Sequence, residues 1–180
     1  MSFFDIFRYS PKLKEFDTTA SQNININILE EFVDINGTKI SLPCHKDELR
    51  GLFGEWMFSM DNLTGTSLRY IYIWHELGIV AYSYDDENVD CISLQFYPGE
   101  KRNSINSPKN IFGGSVMVNG DNWTLMFEDE KCPKFDGIKL PIKLVDYGNF
   151  SLMMTTDIKR GKRIQGLGIN KKTRLDLEET

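Results

Sequence analysis

The sequence has no long apolar run and few cysteines. No apolar stretch approaches the roughly 20 residues that a membrane-spanning helix needs, so we expect a protein that does not cross a membrane. The three cysteines, Cys44, Cys91 and Cys132, are odd in number and far apart. That pattern favours free buried thiols in a reducing compartment over a disulfide framework. Residues 1–8 also lack the charge order and cleavage site of a secretory signal, so we expect a cytoplasmic protein.

Histidine is scarce as well, which excludes most catalytic and metal-binding sites that depend on histidine. His45 directly follows Cys44, but neighbours on an extended chain point to opposite faces and cannot form the hydrogen bond that a nucleophile and its base require. His75-Glu76 resembles the start of a zinc-protease motif, whose second histidine is replaced here by Ile79. We therefore predict no enzyme, no cofactor and no metal site.

Basic residues are missing from the whole interval between Arg69 and Lys101, in a chain of net charge −5. Negative charge favours solubility and opposes binding to nucleic acid or to an anionic membrane. We predict that acids of this interval and of a later run form a partner-binding surface. These acids are Glu76, Asp85, Asp86, Glu87, Asp90, Glu128, Asp129 and Glu130. The simpler explanation of the acids at 85–90 is a solvated hairpin tip.

Positive charge is concentrated near the end of the chain. The residues concerned are Lys159, Arg160, Lys162, Arg163, Lys171, Lys172 and Arg174. Such a segment is able to follow a nucleic-acid backbone while Tyr70, Tyr72 and Trp74 stack bases on an open sheet. Those aromatics, however, lie in the most acidic third of the chain, where phosphate is repelled. Single-stranded nucleic-acid binding by the basic segment 159–174 is therefore the second hypothesis.

The apolar pattern predicts an α+β fold, mainly an antiparallel β meander or sandwich with one or two short helices. At its centre we place Ser67–Phe96, where three β-rich runs are separated by short polar links. Asn-Gly pairs at 36–37 and 119–120 predict two type I′ hairpin turns, and Trp123–Phe127 is the predicted return strand of the second hairpin. Lys46–Phe53 has helical spacing and a stop at Gly54.

The predicted organisation is an N-terminal segment 1–22, a single β-rich domain 23–170 and a charged tail 171–180. The parts 23–97 and 111–170 look alike around their Asn-Gly pairs, so an internal duplication is one interpretation. The other is that antiparallel hairpins resemble one another anyway.

Several short motifs resemble a family of small uncharacterised bacterial proteins. They are Ile35-Asn36-Gly37 with Ile40-Ser41-Leu42-Pro43, Leu49–Gly54, Tyr72-Ile73-Trp74-His75-Glu76-Leu77-Gly78-Ile79, the acidic hairpin after it, and Ser107-Pro108 to Phe112-Gly113-Gly114 with the second Asn-Gly turn. The similarity covers Ile24 to Thr155. The chain departs from the family pattern at His75, where these proteins usually have Asp.

Some members of that family are associated with polymorphic and contact-dependent toxin systems as immunity proteins. The resemblance implies a non-enzymatic protein whose partner is the C-terminal domain of a cognate toxin, and it carries over no active site. Immunity proteins commonly neutralise nuclease toxins, whose clefts are basic, so the resemblance and the acidic surface point to the same kind of partner.

Overall fold

The computed structural model describes residues 23–62, 68–96, 106–128, 134–135, 138–139, 142–157 and 163–172. The strands are β1 (Asn25–Ile28), β2 (Val33–Ile35), β3 (Thr38–Ile40), β4 (Cys44–His45), β5 (Met57–Asn62), β6 (Leu68–Trp74), β7 (Ile79–Ser83), β8 (Asn88–Gln95), β9 (Ser115–Val118), β10 (Asp121–Asn122), β11 (Lys134–Phe135), β12 (Ile138–Lys139), β13 (Ile142–Tyr147), β14 (Phe150–Asp157) and β15 (Arg163–Lys171). The helices are α1 (Lys46–Phe53) and a 3-10 helix (Trp123–Phe127).

Most of these strands belong to two sheets. The larger sheet has eight strands in the order β13-β14-β15-β8-β7-β6-β5, with β4 paired to the start of β8. The smaller sheet has five strands in the order β10-β9-β1-β2-β3, in which β1 and β9 are parallel. All other pairs are antiparallel, so the predicted α+β class with a mainly antiparallel sheet architecture is confirmed.

The two sheets share one hydrophobic core. Ile26, Ile28 and Val116 from the small sheet and Ile92 and Leu167 from the large sheet belong to a single cluster of buried side chains. Alternation places every second residue of a strand on this inner side. The core therefore lies between the sheets and joins β1–β3, near the start of the chain, to β14 and β15, near its end.

The central meander and the helix lie where the sequence pattern predicts them. β6, β7 and β8 form consecutive antiparallel pairs, and α1 spans the predicted residues with Gly54 as its C-cap. At both Asn-Gly pairs the two residues have positive φ, 53° and 86° at 36–37 and 51° and 84° at 119–120. A type I′ turn requires these values, so both predicted turns are confirmed.

The prediction of a strand over Trp123–Phe127 is wrong. β10 ends after two residues, and the chain then forms the 3-10 helix. The Asn122 side chain accepts a hydrogen bond from the Thr124 backbone N–H at 3.1 Å and thereby caps this helix. The helical turn buries Trp123 and Phe127 together in the core, where the two rings meet edge to face.

Some predicted features lie outside the described residues. They include the N-terminal segment 1–22 and the tail beyond residue 172. Lys171 of the predicted tail is the last residue of β15.

Gly78 is the glycine of the motif that carries the family resemblance. Its φ of +68° lies in the left-handed region, and a Cβ there would overlap the backbone atoms of Ile111 and Phe112. Position 78 thus requires glycine for two reasons: its left-handed backbone conformation and the close approach of a second backbone segment.

We expect Gly78→Ala to lower the free energy of unfolding by about 3 kcal/mol, since left-handed strain costs roughly 1–2 kcal/mol and overpacking about 1–3 kcal/mol. Gly37→Ala is the matched control, because Gly37 also has positive φ (+86°) but has open space around it. It should cost only the strain, about 1–2 kcal/mol. Urea unfolding of both variants measures the difference, and equal losses would contradict the close-approach argument.

Candidate functional site

The turn between β7 and β8 carries the densest group of predicted site residues. Asp85 accepts hydrogen bonds from the Asn88 side chain at 2.8 Å, from the Asn88 and Glu87 backbone N–H groups at 2.7 and 2.9 Å, and from Ser83 Oγ at 3.1 Å. These bonds, led by those from Asn88, lower the pKa of Asp85 below its ordinary value. The carboxylate therefore stays charged and fixes the shape of the turn.

Asp86 is held from two other elements. Its φ is +63°, and its carboxylate accepts a hydrogen bond from the Tyr72 hydroxyl at 2.8 Å and pairs with Lys46 Nζ at 3.4 Å. The Tyr72 ring is almost fully buried, and burial, together with the bond to Asp86, raises the pKa of its hydroxyl. Asp86 thus accepts the hydrogen bond of a hydroxyl whose ring is buried in the core.

A short pairing brings helix α1 to the same place. Cys44 pairs with Val89 and His45 with Asn88, and the Lys46 backbone N–H donates to the Glu87 carbonyl at 2.9 Å. The N-cap of α1 is His45, whose Nδ1 accepts from the Asp47 backbone N–H at 3.3 Å. The first turn of the helix therefore starts directly beside the acidic turn.

The two turns together form one surface, which we call the acidic corner. It consists of Asp47, Glu48, Asp85, Asp86 and Glu87 with the cations Lys46 and Arg50. Arg50 makes an exposed ion pair with Asp47 at 3.3 Å, and such pairs contribute little. With five carboxylates against two cations, the acidic corner keeps a net negative charge.

Asp47 and Glu48 were not among the sequence-predicted site residues. Both acids lie in the first turn of α1, where Glu48 Oε1 accepts the His45 backbone N–H at 3.0 Å. What joins them to Glu87 is the β4–β8 pair, in which His45 pairs with Asn88, a residue 43 positions further along the chain. A sequence pattern contains no signal for so short a long-range pair.

The other predicted acids are placed elsewhere. Asp90 lies on β8 close to the acidic corner but is half-buried; burial raises its pKa, and the nearby charge of Lys171 opposes that rise. Glu76 is in the β6–β7 turn, at the end of β7 opposite to the acidic corner. The five residues of β7 separate the two ends by about 17 Å. Glu76 accepts a hydrogen bond from Asn110 Nδ2 at 2.8 Å.

Glu128 follows the 3-10 helix, beside the far edge of the large sheet, where Lys143 donates to the Phe127 carbonyl at 2.6 Å. Asp129 and Glu130 lie outside the described residues. Of the eight predicted acids, the structure brings together Asp85, Asp86, Glu87 and Asp90 and separates Glu76 and Glu128 from them.

Two side chains of the predicted basic segment can be placed. Lys172 Nζ pairs with Asp146 at 3.1 Å, and Lys171 is exposed near Asp90. The residues whose position or side chain lies outside the described part are Lys159, Arg160, Lys162, Arg163 and Arg174. The nucleic-acid hypothesis therefore stays a prediction.

Among the described residues, Cys44 and Cys91 are not arranged with His45 or His75 as a nucleophile and its base. Burial raises the pKa of the Cys44 thiol to about 12, the opposite of an activated thiolate. His45 is exposed while Cys44 is buried, as expected for neighbours on a strand. His75 has Nε2 at 3.2 Å from the sulfur of Met57, and burial lowers its pKa.

The outer side of the large sheet has a shallow cavity of about 150 Å³. Its lining includes Tyr82, Ser93, Gln95, Ser107 and Thr155, and none of its lining side chains is charged. Within the described ranges, no three His, Cys, Asp or Glu side chains are grouped as metal ligands would be, and no helix has the length and apolar character to span a membrane. The acidic corner is thus the most distinctive surface of the described chain.

The hydrogen bonds to Asp85 predict a specific pH dependence. Because its folded pKa lies below the unfolded one, its contribution to stability is present at neutral pH and is lost as the pH falls from about 4 toward the folded value. Asp85→Asn should therefore flatten the acid limb of the stability profile. Urea midpoints measured from neutral to strongly acidic pH test this.

The control for that measurement is Glu31→Gln, which removes an exposed carboxylate between β1 and β2. It should keep the slope of the wild-type profile. A wild-type slope in Asp85→Asn would show that the turn does not depend on the charge of this carboxylate.

Comparison with known proteins identifies a family whose model matches this chain. Residues 25–130 match the model of a domain of unknown function, DUF7738. No curated protein and no solved structure matches the chain. The matched range includes β1 to β10, α1 and the whole acidic corner. Since the match spans more than half of the 180 residues, the chain belongs to the DUF7738 family.

Proposed function

We propose that this protein is a cytoplasmic immunity protein that binds and neutralises the C-terminal domain of a bacterial toxin through the acidic corner. The proposal is for non-enzymatic binding: the partner is inhibited because its functional surface is covered. One observation carries it, namely that the β4–β8 pair joins the first turn of α1 to the 85–87 turn.

The acidic corner suits a basic partner because its charges are fixed in place before binding. Asp85 is held by backbone and side-chain donors, and Asp86 by Tyr72 and Lys46. A preorganised surface loses little conformational entropy on binding. Glu87 and Asp47 remain exposed at its rim, where charges accelerate association with an oppositely charged protein.

A nuclease domain fits this description of a partner. Its nucleic-acid cleft must carry Lys and Arg to neutralise phosphates, and a protein surface with clustered carboxylates competes for the same cations. The resemblance to immunity proteins supports the same kind of partner. Family membership adds no function, since the matched family has none assigned.

The test is co-expression with a candidate toxin domain taken from a reading frame adjacent to the gene of this chain, scored as growth rescue and as association rate of the purified pair. We expect the double variant Asp47→Lys with Glu87→Lys to slow association about tenfold at low salt, since rim charges act mainly on the association rate. The difference should shrink at high salt because screening weakens long-range attraction.

The control double variant is Glu31→Lys with Asp121→Lys, which changes net charge equally at exposed positions of the small-sheet turns. It should associate almost as fast as the wild type. Full rescue and an unchanged rate in the acidic-corner variant would refute the assigned surface. Equal losses in both variants would show that only net charge matters.

A further inference from the structure

The two outer strands of the large sheet differ in how they are protected. Among the described residues, β13 and β5 each have one strand neighbour. On β13, Lys143 donates to the Phe127 carbonyl and Asp146 pairs with Lys172. Charged side chains on an edge strand discourage pairing with a strand of another molecule.

Within the part of the chain that the structure describes, the β5 edge has no unpaired charged side chain that would give such protection, and Ser59 at its centre donates from Oγ to Asn106 Oδ1 at 2.6 Å. Met57, Phe58 and Met60 are 38%, 46% and 53% exposed. Its one charged residue, Asp61, is already neutralised by Arg69, which donates from Nε at 3.0 Å and from Nη2 at 2.5 Å. The strand has no lysine or proline, and its register with β6 is regular at all six positions. A regular edge that exposes apolar side chains and whose one charge is already paired is suited to pairing with another strand.

An apolar patch lies along this edge on the side of the sheet that carries Tyr70. Phe58 stacks on Tyr70 with ring centroids 6.2 Å apart and contacts Tyr72 at 5.9 Å. Met60 is paired with Tyr70 on β6, and Leu68, 51% exposed, is on the same side at the end of the pair. The edge therefore combines free backbone positions with apolar side chains that alternate along the strand.

We propose that β5 pairs in antiparallel fashion with β5 of a second copy of this chain, about a two-fold axis through Ser59. The two large sheets would then form one continuous sheet. A two-fold axis normal to the sheet keeps the same face of both sheets on one side. Side chains that pair across the two strands must therefore lie on the same face, which requires the axis to pass between two copies of one residue rather than between two successive residues.

Within Met57–Asn62, an axis through Ser59 or through Met60 pairs five residues of each strand, more than an axis through any other residue, and the side chains select Ser59 between the two. With the axis there, Phe58 lies opposite Met60 of the second copy, twice, and Met57 lies opposite Asp61. An axis through Met60 would instead put Phe58 opposite Asn62 and Ser59 opposite Asp61. Apolar cross-strand pairs stabilise a sheet, so the Ser59 register is favoured.

Charge does not oppose this dimer, because each Asp61 is neutralised within its own copy. The contact is small, because a strand of six residues is only about 20 Å long. Pairing along it buries less surface than a standard interface, which buries about 800 Å² on each partner. The pairing therefore predicts a dimer that forms at high concentration and dissociates on dilution.

Disulfide trapping tests the register in a Cys132→Ser background. The remaining thiols, Cys44 and Cys91, both have pKa values raised to about 12 by burial and should resist mild oxidation. Ser59→Cys would place the Cα atoms of the two introduced cysteines about 4.5–5.5 Å apart across the axis. A disulfide can span that distance, so we expect a covalent dimer. Asn62→Cys is the register control and should form no covalent dimer, because its two copies lie about 20 Å apart along the paired strands. Equal cross-linking of both, or of neither, would overturn the proposal.

Sedimentation equilibrium provides an independent measurement on the unmodified chain. We expect the mass to rise from monomer to dimer with concentration, and Phe58→Lys to remain monomeric with an unchanged circular dichroism spectrum. Leu144→Lys places the same charge on the other edge, at a residue that is 47% exposed, and should still dimerise. A wild type that stays monomeric, or a dimer that Phe58→Lys leaves intact, would overturn the proposal.

This outcome is separate from the proposed immunity function. The acidic-corner variant Asp47→Lys with Glu87→Lys should dimerise like the wild type, because neither residue lies on β5. Loss of dimerisation in that variant would place the contact at the acidic corner instead.

Discussion

The pairing of strand β8 on both of its sides is the constraint on which the rest of the structure depends. On one side it pairs with β7; on the other, Cys91–Gln95 pair with β15 and Asn88–Val89 pair with β4. One strand thus connects the meander, the C-terminal strands and the start of helix α1. Since β4 leads directly into α1, those two residue pairs fix where the helix begins.

That constraint explains why the acidic corner is ordered rather than a loose charged loop. The carboxylates of the 85–87 turn are used to build it: Asp85 closes the turn and Asp86 satisfies the buried Tyr72 hydroxyl. Like charges held close together repel one another, and hydrogen bonds to Asp85 and the Lys46 ammonium offset that cost. The result is a rigid surface with surplus negative charge, the character that a basic protein recognises.

The residues that carry the family resemblance are mostly structural. Trp74 donates its indole N–H to the Gly54 carbonyl at 2.9 Å and packs against Phe53 and Trp56. Gly78 and Gly114 each permit the close approach of a second backbone segment. These positions identify a fold and do not identify a reaction or a ligand. The exposed residues that bear on function are those such as Glu87 and those of the edge strand β5.

The sequence by itself determined the local structure. Alternating isoleucines predict β1, the two Asn-Gly pairs predict hairpin turns, and helical spacing with a terminal glycine predicts α1, because these patterns act within a few residues. The acidic turn at 85–87 was also evident from composition. Local physics favours one answer at each of these places. At Trp123 the local pattern predicts a strand, but capping by Asn122 and burial of two rings produce a helical turn instead.

Tertiary structure alone decided which of these parts meet. The parallel pairing of β1 with β9, the contact of β4 with β8 and the edge position of β5 depend on residues far apart in the chain. It is these long-range relations that place Asp47 and Glu48 beside Glu87 and leave Phe58 exposed. The physical reason is that strand order is set by burial of the whole core, whereas a sequence pattern records only which side of each strand is apolar.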